Sequence, residues 1–300
     1  MATTVLGLKT FAASDPVDYN EINDNYNKID TGVKTALQGR AAHNLLDNSD
    51  FRDPVNQRGF SSTTSTGESM GIDRWLFSVN SGGSLSLTAD GLVCQNANLI
   101  QKIESKLLDS SKEYTQVFWL SDGTPVFPTK LIEFNYSSGV GRVVYYGITG
   151  TIAAAALYEG SYTADTLPAY VPKGYAAELA ECMRYFERLG VVSSEILGTV
   201  AFAKSGAKSV IISMQYQPKR VGKPTLVFGD VSKYRLLFMD AVNASVFSAS
   251  AISSFDEISV QSPFASFRVT IPNPLDRDCW VRLQREDNSD GAYIDVNADM

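Results

Sequence analysis

The chain has 300 residues, of which 44% are hydrophobic and 20% are charged, and its formal net charge is -7 at pH 7. A chain of this length and composition can form one large or two medium domains with real hydrophobic cores, which excludes disorder as its dominant state. The acidic balance, without a dense Lys/Arg block, excludes nucleic acid as the expected partner, because a phosphate backbone would meet an unfavourable field.

The N-terminus carries no secretion signal in the sequence. Its first residues, MATTVLGLKTF, lack a basic region followed by an apolar core and a cleavage site, and no stretch approaches about 18 uninterrupted apolar residues. We therefore expect a soluble protein made in the cytoplasm, with no membrane insertion. Such a protein can still act outside the cell if it leaves by lysis or as part of a particle.

The cysteines indicate neither a metal site nor a disulfide framework. Cys94, Cys182 and Cys279 are far apart, odd in number and without CxxC spacing. We expect three reduced, buried thiols, no cofactor and no metal.

The first predicted element is a helix that begins at a capping Ser14 or Asp15, has Pro16 near its first position and ends on Gly39. Its apolar residues recur at alternating steps of three and four, as in the seam of a coiled coil, and such a seam needs copies of itself. An amphipathic helix packed on its own domain is the alternative. The predicted oligomerisation residues, within an attachment segment at 1–42, are Tyr19, Ile22, Tyr26, Ile29 and Val33.

Residues 43–172 are predicted to form a first antiparallel β-sandwich, because short Val, Ile, Tyr, Phe and Trp-rich runs alternate with turn residues. The alanine run in TIAAAALYEG favours a helix intrinsically, but we predict a strand in a tightly packed place. The segments SGGS, at 81–84, and SSGVGR, at 137–142, are predicted as hairpin turns. The eight predicted strands are RWLFSV, SLSLTA, GLVCQ, NLIQKIES, YTQVFWL, KLIEFNY, GRVVYYGI and TIAAAALYEG.

Residues 173–300 are predicted to form a linker helix and a second β-sandwich, after a boundary in LPAYVPKG at 167–174. The helix is expected in PKGYAAELAECMRYFERLG, with one apolar face made of Leu179, Cys182, Met183, Phe186 and Leu189. Nine strands are expected after it. They are TVAFAK, SVIISMQY, PTLVFG, YRLLFMD, ASVFSAS, SFDEISVQ, SFRVTIP, CWVRLQ and AYIDVNA.

Nucleophilic catalysis finds little support in the residue pattern. His43 is the single histidine and lies in the connector between the helix and the first sandwich, where a solvated side chain is expected. A glycoside hydrolase needs only two carboxylates, so it stays open on inventory alone. The acidic residues beside aromatic ones are Asp73, Asp122 and Glu133.

A stretch rich in Asp and Asn, NLLDNSDFRDPVNQRG at 44–59, has two interpretations. Its oxygen-bearing side chains could hold calcium in a sandwich loop, although the spacing does not match an EF-hand. Asp and Asn also form turns, and Pro54 and Gly59 complete a turn-rich segment. The turn interpretation is favoured, with Leu45, Leu46 and Phe51 anchoring the segment to the core and Asn48, Asp50, Asn56 and Arg58 holding the turns.

Carbohydrate binding is the function that the composition accommodates best. Sugar sites place aromatic rings against apolar sugar faces and polar side chains against hydroxyls, and this chain has 14 Tyr and 3 Trp. Each candidate can equally be a strand residue half covered by the core. The candidate ligand-binding residues are Trp119, Asp122, Tyr136, Tyr145, Tyr146, Tyr158 and Tyr162.

Three segments in this order resemble a family of bacteriophage and prophage tail proteins: NLLDNSDFRDPVNQRG, GIDRW at 71–75 and YAAELAECMRYFERLG at 175–190. The family shows N-L-L-x-N-x-x-F-x-x-P-x-N-Q-R-G, then x-I-D-R-W, then E-L-x-x-C-x-R-Y-F, within a jelly-roll-like sandwich. KPTLVF at 223–228 also resembles a recurring x-x-T-P-T-V strand, although the Thr before the proline is missing here. The resemblance covers most of residues 44–300.

The resemblance implies a non-enzymatic component of a tail fibre or receptor-binding assembly. It further implies a homotrimer, carbohydrate-binding-module-like sandwiches, other tail or baseplate proteins and a host cell-surface polysaccharide as partners, and a place in the virion tail. It carries over no catalytic residue and no ligand site. A connector without its own ligand and a polysaccharide depolymerase remain the alternatives.

Overall fold

The computed structural model shows a mainly β protein with antiparallel sheets and two α-helices in the residues that it describes. The structure does not describe the side chains of residues 34–38, 131–135, 140 and 247. No helix in the described ranges combines the length and the apolar character needed to cross a membrane. The described residues are 18–38, 43–128, 131–135, 140–190, 196–198, 201–220, 223–242, 245–285 and 293–298.

The chain divides into two compact units, and residues 54–77 are divided between them. Two short segments of the range 43–172, which was predicted as one domain, belong to the second unit. The first unit comprises Met1–Asp53, Ser62–Gly67 and Ser78–Lys173, and the second comprises Pro54–Ser61, Glu68–Phe77 and Gly174–Met300.

Helix α1 spans Tyr19–Gln38, and its predicted end on Gly39 lies outside the described residues. The Asp18 carboxylate accepts a hydrogen bond from the Asn20 backbone N–H at 2.9 Å, which satisfies one of the free donors at the start of a helix. The predicted start at Ser14, Asp15 and Pro16 lies outside the described residues.

The first unit is built on a sheet in the order β1-β3-β4-β8-β5-β6, in which β7 also pairs with β8. Several pairs of neighbouring predicted runs are each part of one longer strand. SGGS is not a hairpin turn, because it continues β3 with Gly82 at a φ of 75°. Of the turn predicted in SSGVGR, 137–139 lie outside the described residues. The strands are β1 (Ser62–Thr63), β2 (Ser69–Met70), β3 (Trp75–Thr88), β4 (Gly91–Glu104), β5 (Tyr114–Leu120), β6 (Pro125–Val126), β7 (Leu131–Asn135) and β8 (Val140–Glu159).

The alanine run Ala153–Ala156 is a strand, as predicted, and its four side chains are at most 4% exposed. On one side it pairs with β5, where Ala156 lies opposite Val117. On the other side it accepts the N-terminal connector: the Ala155 N–H donates to the Ser49 carbonyl at 3.0 Å. Pairing on both edges and close packing outweigh the helical preference of alanine.

Residues 44–51 are therefore joined to the first unit along β8. The Asn44 side-chain amide donates to the Ala155 carbonyl at 3.1 Å, and its carbonyl oxygen accepts the Leu157 N–H at 3.0 Å. Leu46 and Phe51 are fully buried, which confirms them as anchors, whereas Leu45 is half-buried. The Asn44 side chain therefore takes part in the pairing of this stretch with β8.

The second predicted helix is shorter than expected. Helix α2 spans only Tyr175–Cys182, and after a turn the chain forms strand β9 at Phe186–Leu189. The predicted helical face is therefore wrong for Phe186 and Leu189. The reason is tertiary, because β9 pairs with a C-terminal strand through four consecutive residues, with Phe186 opposite Asn297.

All nine strands predicted for the C-terminal part are present. Together with β9 they form three antiparallel sheets in the orders β10-β17-β13-β14, β11-β16-β15 and β12-β18-β9. The sheets surround one hydrophobic core that includes Phe267, Leu283 and Val296. The strands are β10 (Ala201–Ala203), β11 (Ser209–Gln215), β12 (Thr225–Phe228), β13 (Tyr234–Asp240), β14 (Val246–Ala251), β15 (Ser254–Gln261), β16 (Phe264–Thr270), β17 (Cys279–Arg285) and β18 (Ile294–Asn297).

The three cysteines are free and buried, as predicted. Burial raises the pKa of the Cys94 thiol to about 12, so the thiol is protonated and unreactive at neutral pH.

Candidate functional site

Two of the predicted ligand-binding tyrosines are core residues. The Tyr145 ring is 0% exposed and the Tyr158 ring is 1% exposed. The Tyr145 hydroxyl donates to the Ala156 carbonyl at 3.2 Å. Burial raises the pKa of both phenols, that of Tyr158 to about 12. These two residues are therefore removed from the candidate ligand contacts, because neither ring face is open to a ligand.

Two other predicted residues, Trp119 and Tyr162, lie at the surface of the first unit on a shared base. Both are half-buried, and both pack on one buried cluster. Trp119 follows Val117 on the same face of β5, since alternate residues of a strand point the same way. The base consists of Val117, Ala156, Tyr158 and Leu167.

Tyr170 completes this surface, although the sequence analysis did not include it. Its ring centre lies 5.0 Å from that of Trp119, with the planes tilted by 44°. Its hydroxyl lies 3.1 Å from the Ser49 hydroxyl, and the Asn44 amide donates to the same Ser49 oxygen at 3.0 Å. We call Trp119, Tyr162 and Tyr170 the aromatic patch. Its half-buried rings are held by packing below and by hydrogen bonds at one end.

Tyr162 is positioned by a local arrangement at the end of β8. The Tyr162 N–H donates to the Thr115 hydroxyl at 2.9 Å, and that hydroxyl donates to the Gly160 carbonyl at 2.8 Å. Gly160 has a φ of +112°, and a Cβ there would lie 3.2 Å from the Tyr162 ring. Glycine is therefore required for the chain to turn back over β5. The hydroxyls of Thr163 and Thr166, 3.2 Å apart, add polar groups beside this ring.

The remaining candidates are not brought to the patch by any described contact. Tyr146 is 54% exposed on β8. Asp122 lies in the turn after β5, where the Thr124 N–H donates to its carboxylate at 2.8 Å and lowers its pKa. A lowered pKa is opposite to what a general acid needs at neutral pH. Tyr136 lies outside the described residues.

Parts of all three segments that carry the family resemblance lie in the second unit. The Gln57 amide donates to the Asp73 carboxylate at 2.8 Å and to the Phe186 carbonyl at 3.2 Å. The Arg58 guanidinium lies 3.5 Å from the centre of the Phe186 ring, and its Nε is 3.6 Å from the Asp73 carboxylate. Arg74 lies at the same 3.5 Å from the Tyr185 ring centre. NQRG, IDRW and RYF are thus parts of one packed cluster.

This motif cluster explains Asp73 and Arg58 structurally. The Asp73 side chain is 0% exposed and lies beside Arg58. It therefore serves as a buried ion-pair partner rather than as a carboxylate open to a ligand. Arg58 was expected to hold a turn, and it instead stacks on an aromatic ring. Asn56 does hold its turn, because its side chain exchanges two 2.8 Å hydrogen bonds with the Phe60 backbone.

The predicted seam of α1 is exposed to solvent. Tyr19 is 76% exposed, Tyr26 67% and Val33 51%. Ile29 is 39% exposed, and Ile22 is half-buried. An ion pair between Lys28 and Asp24 at 2.6 Å lies on the helix surface. The single chain therefore leaves most of the apolar heptad positions uncovered.

The other predicted chemical groups are distributed without a shared site. His43 is exposed, and the Glu133 side chain is outside the description. Within the described part of the chain, no three His, Cys, Asp or Glu side chains are grouped so that they could hold a metal ion. Comparison of the chain with protein-family models, curated proteins and solved structures found no match.

Proposed function

We propose that this chain is a non-enzymatic attachment protein of the bacteriophage tail type, which assembles as a homotrimer and binds a host cell-surface polysaccharide. The observation that carries the proposal is the aromatic patch of Trp119, Tyr162 and Tyr170. The motif resemblance supports the tail setting, in which other tail or baseplate proteins hold the assembly and its units are jelly-roll-like.

The patch has the properties that a saccharide requires. Half-exposed Trp and Tyr rings offer flat apolar faces for the C–H faces of a sugar, together with N–H and O–H groups for its hydroxyls. A ring that is already packed loses little rotamer freedom on binding, so its contact area converts more fully into affinity. Trp119 and Tyr162 are packed in this way on the same buried base.

The exposed α1 seam supports the assembly step. A repeated apolar seam at alternating steps of three and four is self-complementary when copies of the helix align in register. Three copies joined in this way would form a coiled coil and present three aromatic patches. Multivalent presentation would raise the avidity of individually weak sugar contacts.

The recognition step is tested by removing the central ring of the patch. We expect Trp119→Ala to weaken binding to host polysaccharide about tenfold or more in a surface-binding assay, because a stacked ring is lost. Trp280→Ala is the matched control, since Trp280 is 39% exposed in the second unit and not in the patch. Equal binding by the wild type and both variants, with unchanged circular dichroism, would remove the patch from the proposal.

Sugar release separates this function from a depolymerase. The proposal expects no new reducing ends when the wild-type chain is incubated with a polysaccharide that it binds. If reducing ends accumulate, the non-enzymatic assignment is wrong. A wild-type chain that binds no polysaccharide on a broad array of host glycans at high avidity would instead favour a connector without its own ligand.

The assembly step is tested with paired charge substitutions on α1. We expect Ile22→Asp with Ile29→Asp to convert a trimer into monomers in sedimentation experiments at micromolar concentration, because the seam would carry charges. Asn20→Asp with Asn27→Asp adds the same charges off the seam and should leave the trimer intact. A monomeric wild type, unchanged when residues 1–42 are deleted, would contradict the trimer.

A further inference from the structure

A surface cavity in the second unit is lined by residues outside the predicted functional sites. Its volume is about 470 Å³, within the range of cavities that hold small ligands. It lies between β14, which is an edge strand of the four-stranded sheet, and the connection from β16 to β17.

The floor of this cavity is part of the hydrophobic core. Phe238, Ile271 and Leu275 line it, and each is at most 7% exposed. Ser248 pairs with Phe238 across the β13–β14 ladder, and residues directly opposite in antiparallel strands point to the same face. Ser248 stands on an edge strand beside this buried floor and lines the cavity.

The mouth of the cavity is polar and balanced in charge. Asp276 and Arg277 form an exposed ion pair at 3.6 Å, and Ser248 and Asn273 stand on opposite walls. Among the described residues, neither the Ser248 hydroxyl nor the Asn273 amide has a side-chain hydrogen-bond partner. The Ser248 hydroxyl and the Asn273 amide can offer both donors and acceptors to a ligand.

The connection that forms one wall is held firmly at its base. The Gly206 N–H donates to the Leu275 carbonyl at 2.8 Å, and the Leu275 N–H donates to the Ala207 carbonyl at 2.9 Å. The Ser205 N–H donates to the Asp278 carboxylate at 2.9 Å. The polar groups at the mouth thus project from a fixed loop, which lowers the entropic cost of binding.

We propose that this cavity is a second saccharide site, which binds a neutral sugar residue of the same host glycan. The inference rests on the proposed function and extends it from the first unit to the second. An apolar floor fits the C–H face of a sugar ring, and hydroxyl, amide and paired charged groups fit its hydroxyls. The balanced Asp276 and Arg277 charges favour a neutral residue over an anionic one.

The experiment uses the full chain and a panel of neutral trisaccharides with glucose, mannose or N-acetylglucosamine units, measured by isothermal titration. The cavity variant combines Ser248→Ala and Asn273→Ala, and both changes are at exposed positions where folding is little affected. The control combines Ser253→Ala and Asn27→Ala, which are exposed and outside the cavity. Each pair is also made in a Trp119→Ala chain, which lacks the central ring of the aromatic patch.

We expect at least one trisaccharide of the panel to bind the Trp119→Ala chain. The cavity substitutions in that chain should weaken this binding about tenfold, because two neutral hydrogen bonds are lost. The control pair should leave that affinity unchanged. If Trp119→Ala abolishes all binding, or the cavity pair has no effect, the second site is wrong while the proposed function stands. If the wild type binds no saccharide on the panel or on host glycan arrays, both are wrong.

Discussion

The Arg58 guanidinium lies 3.5 Å from the centre of the Phe186 ring, although the two residues belong to distant segments of the sequence. Arg58 also faces the fully buried Asp73 carboxylate at 3.6 Å, and Gln57 donates to that carboxylate from the other side. A planar, permanently charged group can stack on a ring and pair with a carboxylate at the same time. This explains why the arginine of the NQRG motif is part of the second unit.

Removal of Arg58 should destabilise the protein. We expect Arg58→Ala to lower the free energy of unfolding by about 3 kcal/mol, because it removes a cation that faces a buried carboxylate. The loss falls at the low end for a buried ion pair, since Gln57 still donates to Asp73. Arg52→Ala is the control, because the Arg52–Asp50 pair is half exposed and should cost less than about 1 kcal/mol. Urea titration measures both, and equal effects would contradict the buried role.

Phe51→Ala should reduce stability more than affinity. Phe51 is 0% exposed and joins the connector to β8 through its N–H, which donates to the Ala153 carbonyl at 2.9 Å. Loss of a buried phenylalanine ring typically costs about 3–5 kcal/mol. Phe127→Ala, at 39% exposure in the same unit, should cost much less. Thermal unfolding and glycan binding of the folded fraction are measured together, and a large affinity loss without a stability loss would contradict the structural role.

Gly91→Ala should be poorly tolerated. Gly91 has a φ of +121°, and a Cβ there would lie 2.1 Å from the Ile152 carbonyl oxygen. Backbone strain and the clash together should cost about 2–4 kcal/mol. Gly67→Ala is the matched control, because its nearest neighbour is the Ser65 Oγ at an ordinary 3.6 Å. Chemical denaturation compares the two variants, and a neutral Gly91→Ala would show that the β4–β8 pairing does not constrain this position.

Stability should fall at alkaline pH through the buried phenols of the first unit. Burial raises the pKa of Tyr145 and of Tyr158, the latter to about 12, above the value of about 10 in an unfolded chain. The folded state therefore keeps these protons where the unfolded state loses them. The stabilisation from the two buried phenols is fully present below about pH 10. Above about pH 10, each phenol lowers the free energy of unfolding by about 1.4 kcal/mol per pH unit until its folded pKa is reached.

The Tyr145→Phe and Tyr158→Phe pair tests this assignment. Urea titrations between about pH 9 and pH 12 should show a shallower loss of stability for the double variant than for the wild type. Tyr146→Phe is the control, because Tyr146 is 54% exposed. Identical slopes in wild type and double variant would show that other groups govern the alkaline transition.

The sequence was sufficient to predict most elements because their signals are local. The heptad steps of α1, the short runs rich in β-branched and aromatic residues and the flanking turn residues each depend on neighbours within one segment. The predicted end of α2 was wrong for the opposite reason. Its residues fit a helical face, but four of them pair with β18, and no local pattern records that distant partner.

The aromatic patch was only half predictable. Trp119 and Tyr162 were selected because they are aromatic and near turns, and the same rule selected the buried Tyr145 and Tyr158. Which ring faces outward depends on strand register and on what covers each face. Tyr170 was missed because it lies in the boundary segment, and the useful signal was its position in a Pro-flanked segment after a strand rich in small residues.

By itself, the sequence determined a mainly β chain with an N-terminal amphipathic helix and three separated motifs, since composition, periodicity and turn residues are properties of short segments. The tertiary structure alone decided where each motif lies. The first motif divides after residue 53, and its NQRG end closes together with IDRW on the third motif around Asp73. These outcomes depend on contacts between residues far apart in the chain, where packing and buried hydrogen bonds outweigh local preference.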